Sequence, residues 1–248
     1  TQRCAALIEQ GKWSPPERGQ PEAFRYQVCL SKNQYQKLFQ AKPPRKIGCG
    51  MFACAYDTGK KTSIVKITRD AEDVAALLEA HDPRVAKVKK AYELHRAGIR
   101  AGAKAYVPVY ALEMERLYQP PGFFKRWVDK TILALFVAIN ADAHQHIAAP
   151  TGYRFSQTLL DHMKTRCGEF APGEKACPRF IEDFARLHER LFHKGIWWQD
   201  FHAGNFGVTS GGTWKALDLG VSGKRLAAPL PQLQGAIKRL PQKTRKVR

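Results

Sequence analysis

The sequence of 248 residues predicts an α+β fold, with strand patterns in its first half and helical patterns in its second. Strand-like runs separated by turn residues follow one another between 45 and 68, whereas apolar residues recur at helical spacing between 180 and 191. A chain of this length can bury a substantial core, in one large domain or in two lobes. Its apolar content of 44% is that of a globular protein and argues against disorder away from the ends.

Three strands are predicted between Arg45 and Thr68. The first ends at Ile47, the second covers about 53–56, and the third covers Ser63–Thr68. The segment Asp57-Thr-Gly-Lys60 has the turn residues of a hairpin that joins the last two strands.

Two helices and then a pair of strands are predicted to follow. The first helix covers about 70–81, begins at the capping residue Asp70 and ends before Pro83. The second covers about 84–98, because its apolar residues recur at helical spacing. Residues 105–117 have the pattern of two short strands.

The rest of the chain is predicted to be mainly helical. One amphipathic helix closes at Gly195 and presents its apolar residues at helical spacing, namely Phe180, Ile181, Phe184, Leu187 and Leu191. The apolar run Ile132–Ile139 is too short to cross a bilayer, which takes about 18 residues, so it predicts a buried helical segment. Trp214–Gly220 predicts a short strand.

The chain is strongly basic. Its 41 Lys and Arg residues exceed its 22 Asp and Glu residues by 41 − 22 = 19. This excess favours an anionic partner, which could be nucleic acid, phospholipid or an acidic protein surface. Residues 221–248 contain no acidic residue, so this basic tail either binds such a partner or serves solubility.

Six cysteines are spread along the chain: Cys4, Cys29, Cys49, Cys54, Cys167 and Cys177. The absence of a CxxC pair argues against a zinc site, and scattered thiols in a chain of this length are not typical of a disulfide framework. The pattern predicts reduced thiols in a cytosolic setting, with a bridge between Cys167 and Cys177 as the alternative.

Four short motifs follow one another in a fixed order: Gly48-Cys-Gly50-Met-Phe52, Ser63-Ile-Val-Lys66, Asp200 through Asn205 in the segment QDFHAGN, and Asp218-Leu-Gly220. Each motif is weak evidence alone. Together, in this order and at these intervals, they resemble the protein-kinase-like superfamily, whose pattern is a glycine loop, a strand lysine, an Asp with an Asn five residues later, and Asp-Phe-Gly. The resemblance spans Lys42 to Gly220.

The resemblance implies a bilobal protein-kinase-like fold, with an antiparallel-sheet N-lobe that carries helices and a small, mainly helical C-lobe. Residues 1–41 would be an N-terminal extension, 42–117 the N-lobe, and 118–248 a minimal C-lobe ending in the basic tail. Only 248 − 218 = 30 residues follow Asp218, too few for the long helical end of eukaryotic protein kinases. In this respect the chain resembles bacterial effector kinases, RIO-like kinases, and the heptose and Kdo kinases of lipopolysaccharide synthesis.

The resemblance also implies roles for the residues that carry chemistry. Asp200 would accept or orient the proton of the substrate hydroxyl. Asn205 and Asp218 would supply oxygen ligands to Mg²⁺, and Lys66 would hold the α- and β-phosphates of ATP. Further nucleotide contacts would come from the glycine loop, the gatekeeper and the hinge, namely Gly48, Gly50, Phe52, Met114, Glu115 and Leu117.

An acidic partner for Lys66 is expected in a helix that follows its strand. Glu93 is favoured, because it lies in the predicted helix nearest the next strand, and Glu79 is the alternative, because it is closer in sequence. Three residues depart from the family pattern, namely Ala53 at the third glycine, Trp198 at the histidine of His-Arg-Asp, and His202 at the usual lysine.

The resemblance implies an ATP- and Mg²⁺-dependent Ser/Thr protein kinase of minimal type. It would act on protein substrates in the cytoplasm, or in a host cell as a secreted bacterial effector. A second hypothesis keeps the fold but makes the substrate a sugar or another small molecule, and His202 and the basic surface would suit an anionic glycolipid. A third is a pseudokinase or a basic nucleic-acid-binding module.

Overall fold

The computed structural model combines helices with an antiparallel sheet, so the predicted α+β class is confirmed. It describes residues 38–39, 45–49, 53–68, 70–97, 107–219 and 237–239. The chain divides into two units. The first contains the described residues of Thr1–Val74, Val88–Arg116 and Leu230–Arg248, and the second contains those of Ala75–Lys87 and Leu117–Pro229.

The first unit is built on one sheet, whose strands are β1 (Lys46–Cys49), β2 (Ala53–Asp57), β3 (Ser63–Thr68), β4 (Val88–Ala97), β5 (Val107–Glu115) and β8 (Ile237–Arg239). Strands β1 to β5 pair antiparallel in the order β1-β2-β3-β5-β4, and β8 lies parallel to β4 at the edge. The three strands predicted between 45 and 68 are confirmed. Their hairpin turn is held by the Gly59 N–H, which donates to Asp57 Oδ1 at 2.9 Å.

Residues 88–97 form a strand, so the helix predicted over 84–98 is wrong. Strand β4 pairs with β5 along its length, and Tyr92 and Leu94 are buried in the same core cluster as Val65 and Ile67 of β3. Pairing and core packing therefore outweigh a helical periodicity that rested on few apolar residues. The pair of strands predicted over 105–117 is the single strand β5.

Helix α1 (Ala71–Ala80) begins and ends as predicted. The Asp70 side chain caps it, because Asp70 Oδ1 accepts the N–H groups of Glu72 and Asp73, each at 3.0 Å. These two acidic residues in the first turn also interact favourably with the positive end of the helix dipole.

The second unit is mainly helical, as predicted. Its elements are α2 (Gly122–Trp127), α3 (Phe136–His144), α4 (Gln157–Phe170), α5 (Ala176–His193), β6 (Phe206–Val208) and β7 (Trp214–Ala216). The five apolar residues predicted to form the buried face of α5 are all buried. A π-helical turn and a 3₁₀ turn, Val128–Ile132 and Leu133–Leu135, connect α2 to α3.

Aromatic side chains form the core beneath residues 196–205. Phe184 of α5 lies with its ring centroid 5.5 Å from Trp198 and 5.3 Å from Phe201, and Trp198 lies 5.6 Å from Phe206. Trp198 and Phe201 are at most 1% exposed. Large buried aromatic side chains dominate core energetics, so this cluster fixes the backbone on both sides of Asp200.

The apolar run Ile132–Ile139 is helical, but the prediction that it is buried is wrong for much of its length. Leu133, Phe136 and Val137 are exposed, whereas Ile132 and Ile139 are buried. The run therefore presents one buried and one exposed apolar face. Within the described residues, no helix has the length and apolar character needed to cross a bilayer.

Two disulfides join Cys49 to Cys54 and Cys167 to Cys177. The prediction of reduced thiols is therefore wrong for these four residues, and the Cys167–Cys177 alternative is confirmed. No free thiol occurs among the described cysteines, while Cys4 and Cys29 lie outside the described residues. Sequence spacing missed Cys49–Cys54 because only the pairing of β1 with β2 sets these two residues opposite each other.

We predict that the free energy of unfolding falls as pH is lowered from about 6.5 to about 4. Burial of His188 lowers its pKa from 6.5 to about 4, so in this window the unfolded chain binds a proton that the folded chain does not. The loss is on the order of 3 kcal/mol at most.

Denaturant unfolding at several pH values would measure this loss. His188→Gln should reduce this loss, whereas His162→Gln, at an exposed histidine of α4, should leave it unchanged. An equal slope in the His188→Gln protein would contradict the assignment.

Candidate functional site

Lys66 lies on β3 and is 8% exposed. Its Nζ is 2.7 Å from Oδ2 of Asp73, whose side chain is 1% exposed. Asp73 stands in the first turn of α1, where the cap at Asp70 fixes the start of the helix. Leaving either member of such a buried ion pair without the other is costly, so the pair ties β3 to α1.

Neither glutamate predicted for this role supplies the carboxylate of that ion pair. Glu93 lies on β4, and β5 separates that strand from β3. Glu79 lies in α1 six positions beyond Asp73, so helical geometry directs the two side chains to different faces. Asp73 is the residue that the sequence interpretation missed. The sequence did contain a signal for Asp73, because this acid near the start of the helix is closer to Lys66 in the sequence than Glu79 is.

The predicted glycine loop connects β1 to β2. Gly48 is exposed in β1, and a Cβ added there would meet no atom within 4 Å. Gly50 and Phe52 lie outside the described residues. The Cys49–Cys54 disulfide joins the two strands at the base of this loop, so the connection is closed covalently as well as by strand pairing.

The predicted gatekeeper and hinge follow the register of β5. Met114 is 1% exposed and lies between Ile64 of β3 and Val88 of β4. Glu115, the last residue of β5, is partly buried. Leu117 belongs to the second unit, where it packs so closely on β6 that a Cβ at Gly207 would lie 2.7 Å from the Leu117 Cβ.

In the second unit, the β6–β7 hairpin brings Asn205 and Asp218 to the same end. Phe206 pairs with Ala216, and one step outward the Leu217 N–H donates to the Asn205 carbonyl at 2.7 Å. Asn205 immediately precedes β6, and Asp218 immediately follows Leu217. Two residues separated by thirteen positions in the sequence therefore become neighbours.

The same asparagine also fixes the position of Asp200. Asn205 is 7% exposed, and its Nδ2 donates to the main-chain carbonyl of Asp200 at 3.1 Å. Since the amide nitrogen is used in this way, the amide oxygen is available to accept a hydrogen bond or to bind a cation. The Asp200 side chain remains about half exposed, at 49%.

His202 lies beside Asp200, with Nε2 3.5 Å from Asp200 Oδ2. Its Nδ1 accepts the Gly204 N–H at 3.0 Å, so in the neutral ring the hydrogen is on Nε2, facing the carboxylate. A Cβ at position 204 would lie 2.8 Å from the ring, so the ring could not keep this position beside any residue other than glycine. The hydrogen bond to Asp200 raises the pKa of His202 against the opposing effect of burial, and the charges of Asp200, Asp218 and Asp129 add to the rise.

The carboxylates that act on His202 therefore mark an acidic site within a basic chain. Asp129, in the π-helical turn after α2, was not singled out in the sequence and has no motif around it. Asn205, Asp200 and Asp218, in contrast, were all predicted, and the second unit brings them together. Among the described residues, no group of three or more His, Cys, Asp or Glu side chains is placed to hold a metal ion.

Comparison of the chain with protein-family models gives no match, and comparison with curated proteins gives none either.

We predict that Asp73→Leu lowers the free energy of unfolding by roughly 3–5 kcal/mol, because it breaks a buried ion pair by removing one of its two members. Urea unfolding monitored by circular dichroism would measure the change. The double variant Lys66→Met/Asp73→Leu should recover most of the loss, since it buries two apolar side chains instead. Glu79→Gln is the matched control, and a loss there as large as in Asp73→Leu would contradict the pairing.

We also predict that Asp200→Asn and Gly204→Ala each lower the pKa of His202. The first removes the carboxylate beside Nε2, and the second forces the ring out of its present position. Titration of the His202 ring protons by NMR would measure both. Gly211→Ala is the control, because a Cβ there meets nothing closer than 3.8 Å, and its His202 should titrate as in the wild type. A wild-type pKa at or below 6.5 would refute the contact.

Proposed function

We propose that this chain is an ATP- and Mg²⁺-dependent phosphotransferase of protein-kinase-like fold, which transfers the γ-phosphoryl group to a hydroxyl, first of all on Ser or Thr of a protein. The observation that carries the proposal is the neighbourhood of Asp200, Asn205 and Asp218 around the β6–β7 hairpin. In phosphoryl transfer, positioning and charge neutralisation matter more than covalent chemistry, and these residue types suit both tasks.

The first unit supports the role proposed for Lys66, which is to contact the phosphates. In protein kinases, a lysine of the third strand contacts the phosphates while paired with an acid from the following helix. Lys66 is on the third strand, and its pairing with Asp73 of α1 fits that arrangement. The acid is an aspartate, one methylene shorter than the usual glutamate.

The side-chain oxygens of Asn205 and Asp218 are of the kind that binds a magnesium ion. Mg²⁺ prefers hard oxygen ligands and takes few of them from the protein, since phosphate and water supply the others. The amide oxygen of Asn205 is available because its nitrogen donates to the Asp200 carbonyl, and Asp218 adds a carboxylate. When bound, the ion would neutralise charge on the phosphates.

Asp200 and His202 would act on the acceptor hydroxyl. The half-exposed Asp200 carboxylate would orient the acceptor hydroxyl and accept its proton. The Nε2–H of His202 faces one oxygen of that carboxylate, and the other oxygen would accept the proton of the acceptor hydroxyl. In this role His202 is a positioning residue, where protein kinases use a lysine.

We predict that Asp218→Ala lowers phosphotransfer by more than about a hundredfold, because it removes a ligand of the ion that neutralises the phosphates. Transfer of labelled γ-phosphate from ATP to proteins and to a panel of small hydroxyl acceptors would measure it. The control is Asp161→Ala, at an exposed acid of α4.

The outcomes of this assay separate the three hypotheses. Activity that survives Asp218→Ala would count against the assignment. Transfer only to small acceptors would favour a sugar or small-molecule kinase of the same fold. Salt-sensitive binding of RNA or DNA by a wild-type protein that does not turn over ATP would favour a basic binding module.

A further inference from the structure

The helical segment from α2 to α3 exposes four large apolar side chains. Phe123 is 55% exposed, Leu133 43%, Phe136 37% and Val137 78%. These four residues are called the apolar patch. They are four of the six large apolar side chains that are exposed in the described part of the chain, so the exposure is concentrated in one segment of the sequence. Concentrated exposure of this kind marks an interaction surface, whereas scattered exposure does not.

Packing holds the apolar patch outward. Buried residues alternate with the exposed ones at helical spacing along the same segment, among them Phe124, Val128, Ile132 and Ile139. The segment therefore has an inner apolar face that belongs to the core and an outer apolar face that does not.

Basic side chains interleave with the apolar patch. Lys125, Arg126 and Lys130 are exposed along the same segment. Arg166 of α4 adds a further cation, because its Nε donates to the Lys130 carbonyl at 2.8 Å. The segment's one acid between Phe123 and Val137 is Asp129, which is partly buried and acts on His202.

We propose that the apolar patch docks onto an anionic lipid membrane. Apolar side chains flanked by lysine and arginine are the pattern of helices that lie in the membrane interface, where apolar burial and attraction to anionic headgroups add together. A second copy of the chain is disfavoured as the occupant, because it would bring a formal charge of +19 against the same charge. Nucleic acid offers phosphates to the cations but gives the four apolar side chains little to bury against.

Docking has a consequence for the candidate site, which rests on the proposed function. The Phe136 ring lies 5.9 Å from the ring of Phe201, the residue that follows Asp200. Asp129, from the same segment, acts electrostatically on His202. A membrane bound at the apolar patch would therefore lie beside the acceptor side of the site.

Co-sedimentation with vesicles tests the docking. The wild type should sediment with vesicles of phosphatidylglycerol and phosphatidylcholine and much less with phosphatidylcholine alone. Leu133→Ser/Val137→Ser should weaken binding at least about tenfold, since it removes apolar side chains that would be buried. Ile47→Ser is the matched control, because Ile47 is 52% exposed on β1, and it should bind as the wild type does. Thermal unfolding of each variant checks that the fold is retained.

Several outcomes would overturn the docking. Wild-type affinity in the double variant would mean that charge elsewhere, such as the basic tail, accounts for vesicle binding. Equal sedimentation with phosphatidylcholine alone would exclude the anionic preference. A wild type that self-associates through the apolar patch but ignores vesicles would make the surface an interface between copies.

A variant at the candidate site separates this inference from the proposed function. Asp218→Ala should bind vesicles like the wild type, because vesicle binding uses no nucleotide. Vesicle binding without phosphotransfer to any acceptor would leave the docking in place and overturn the kinase proposal. Phosphotransfer to soluble protein by a wild type that binds no vesicles would leave the kinase proposal in place and overturn the docking.

Discussion

The pairing of β6 with β7 is the constraint on which the candidate site of the second unit depends. Three residue pairs form this hairpin, and a two-stranded hairpin alone is marginally stable. Its flanks are therefore important. Tyr118 exchanges hydrogen bonds with Val208 on one side, and the backbone around Val85 bonds to Ala216 on the other. With the aromatic core beneath, these contacts hold Asn205 and Asp218 together.

Charge is distributed unevenly in this protein, and the unevenness has physical consequences. The chain carries a large basic excess, yet several of its acidic residues act on one particular basic side chain. Asp73 neutralises a buried lysine, whereas Asp200, Asp218 and Asp129 together raise the pKa of a histidine. An acidic site within a basic chain can bind a cation and still attract an anionic substrate. The carboxylates act on the cation at short range, whereas the net positive charge of the chain acts on the anion at longer range.

Local sequence patterns correctly predicted the elements that are defined by contacts between residues close in sequence. The hairpin at Asp57–Lys60, the capped helix α1 and the amphipathic α5 are all of this kind. Strand β4 was predicted as a helix because its pairing with β5 crosses a gap in sequence and is invisible to local periodicity. The Cys49–Cys54 disulfide and the exposed face of the run Ile132–Ile139 were missed for the same reason, as each depends on tertiary packing.

The sequence by itself determined the α+β class, the spacing of Asp200, Asn205 and Asp218, and the strand that carries Lys66. Residue type and interval suffice for these, because hairpins and helices translate short intervals into fixed geometry. Only the tertiary structure decided that Asp73 is the partner of Lys66, that His202 faces Asp200, and which apolar side chains stay at the surface. Those outcomes depend on which segments pack against one another, and a buried charge or an exposed aromatic ring is defined only by its surroundings.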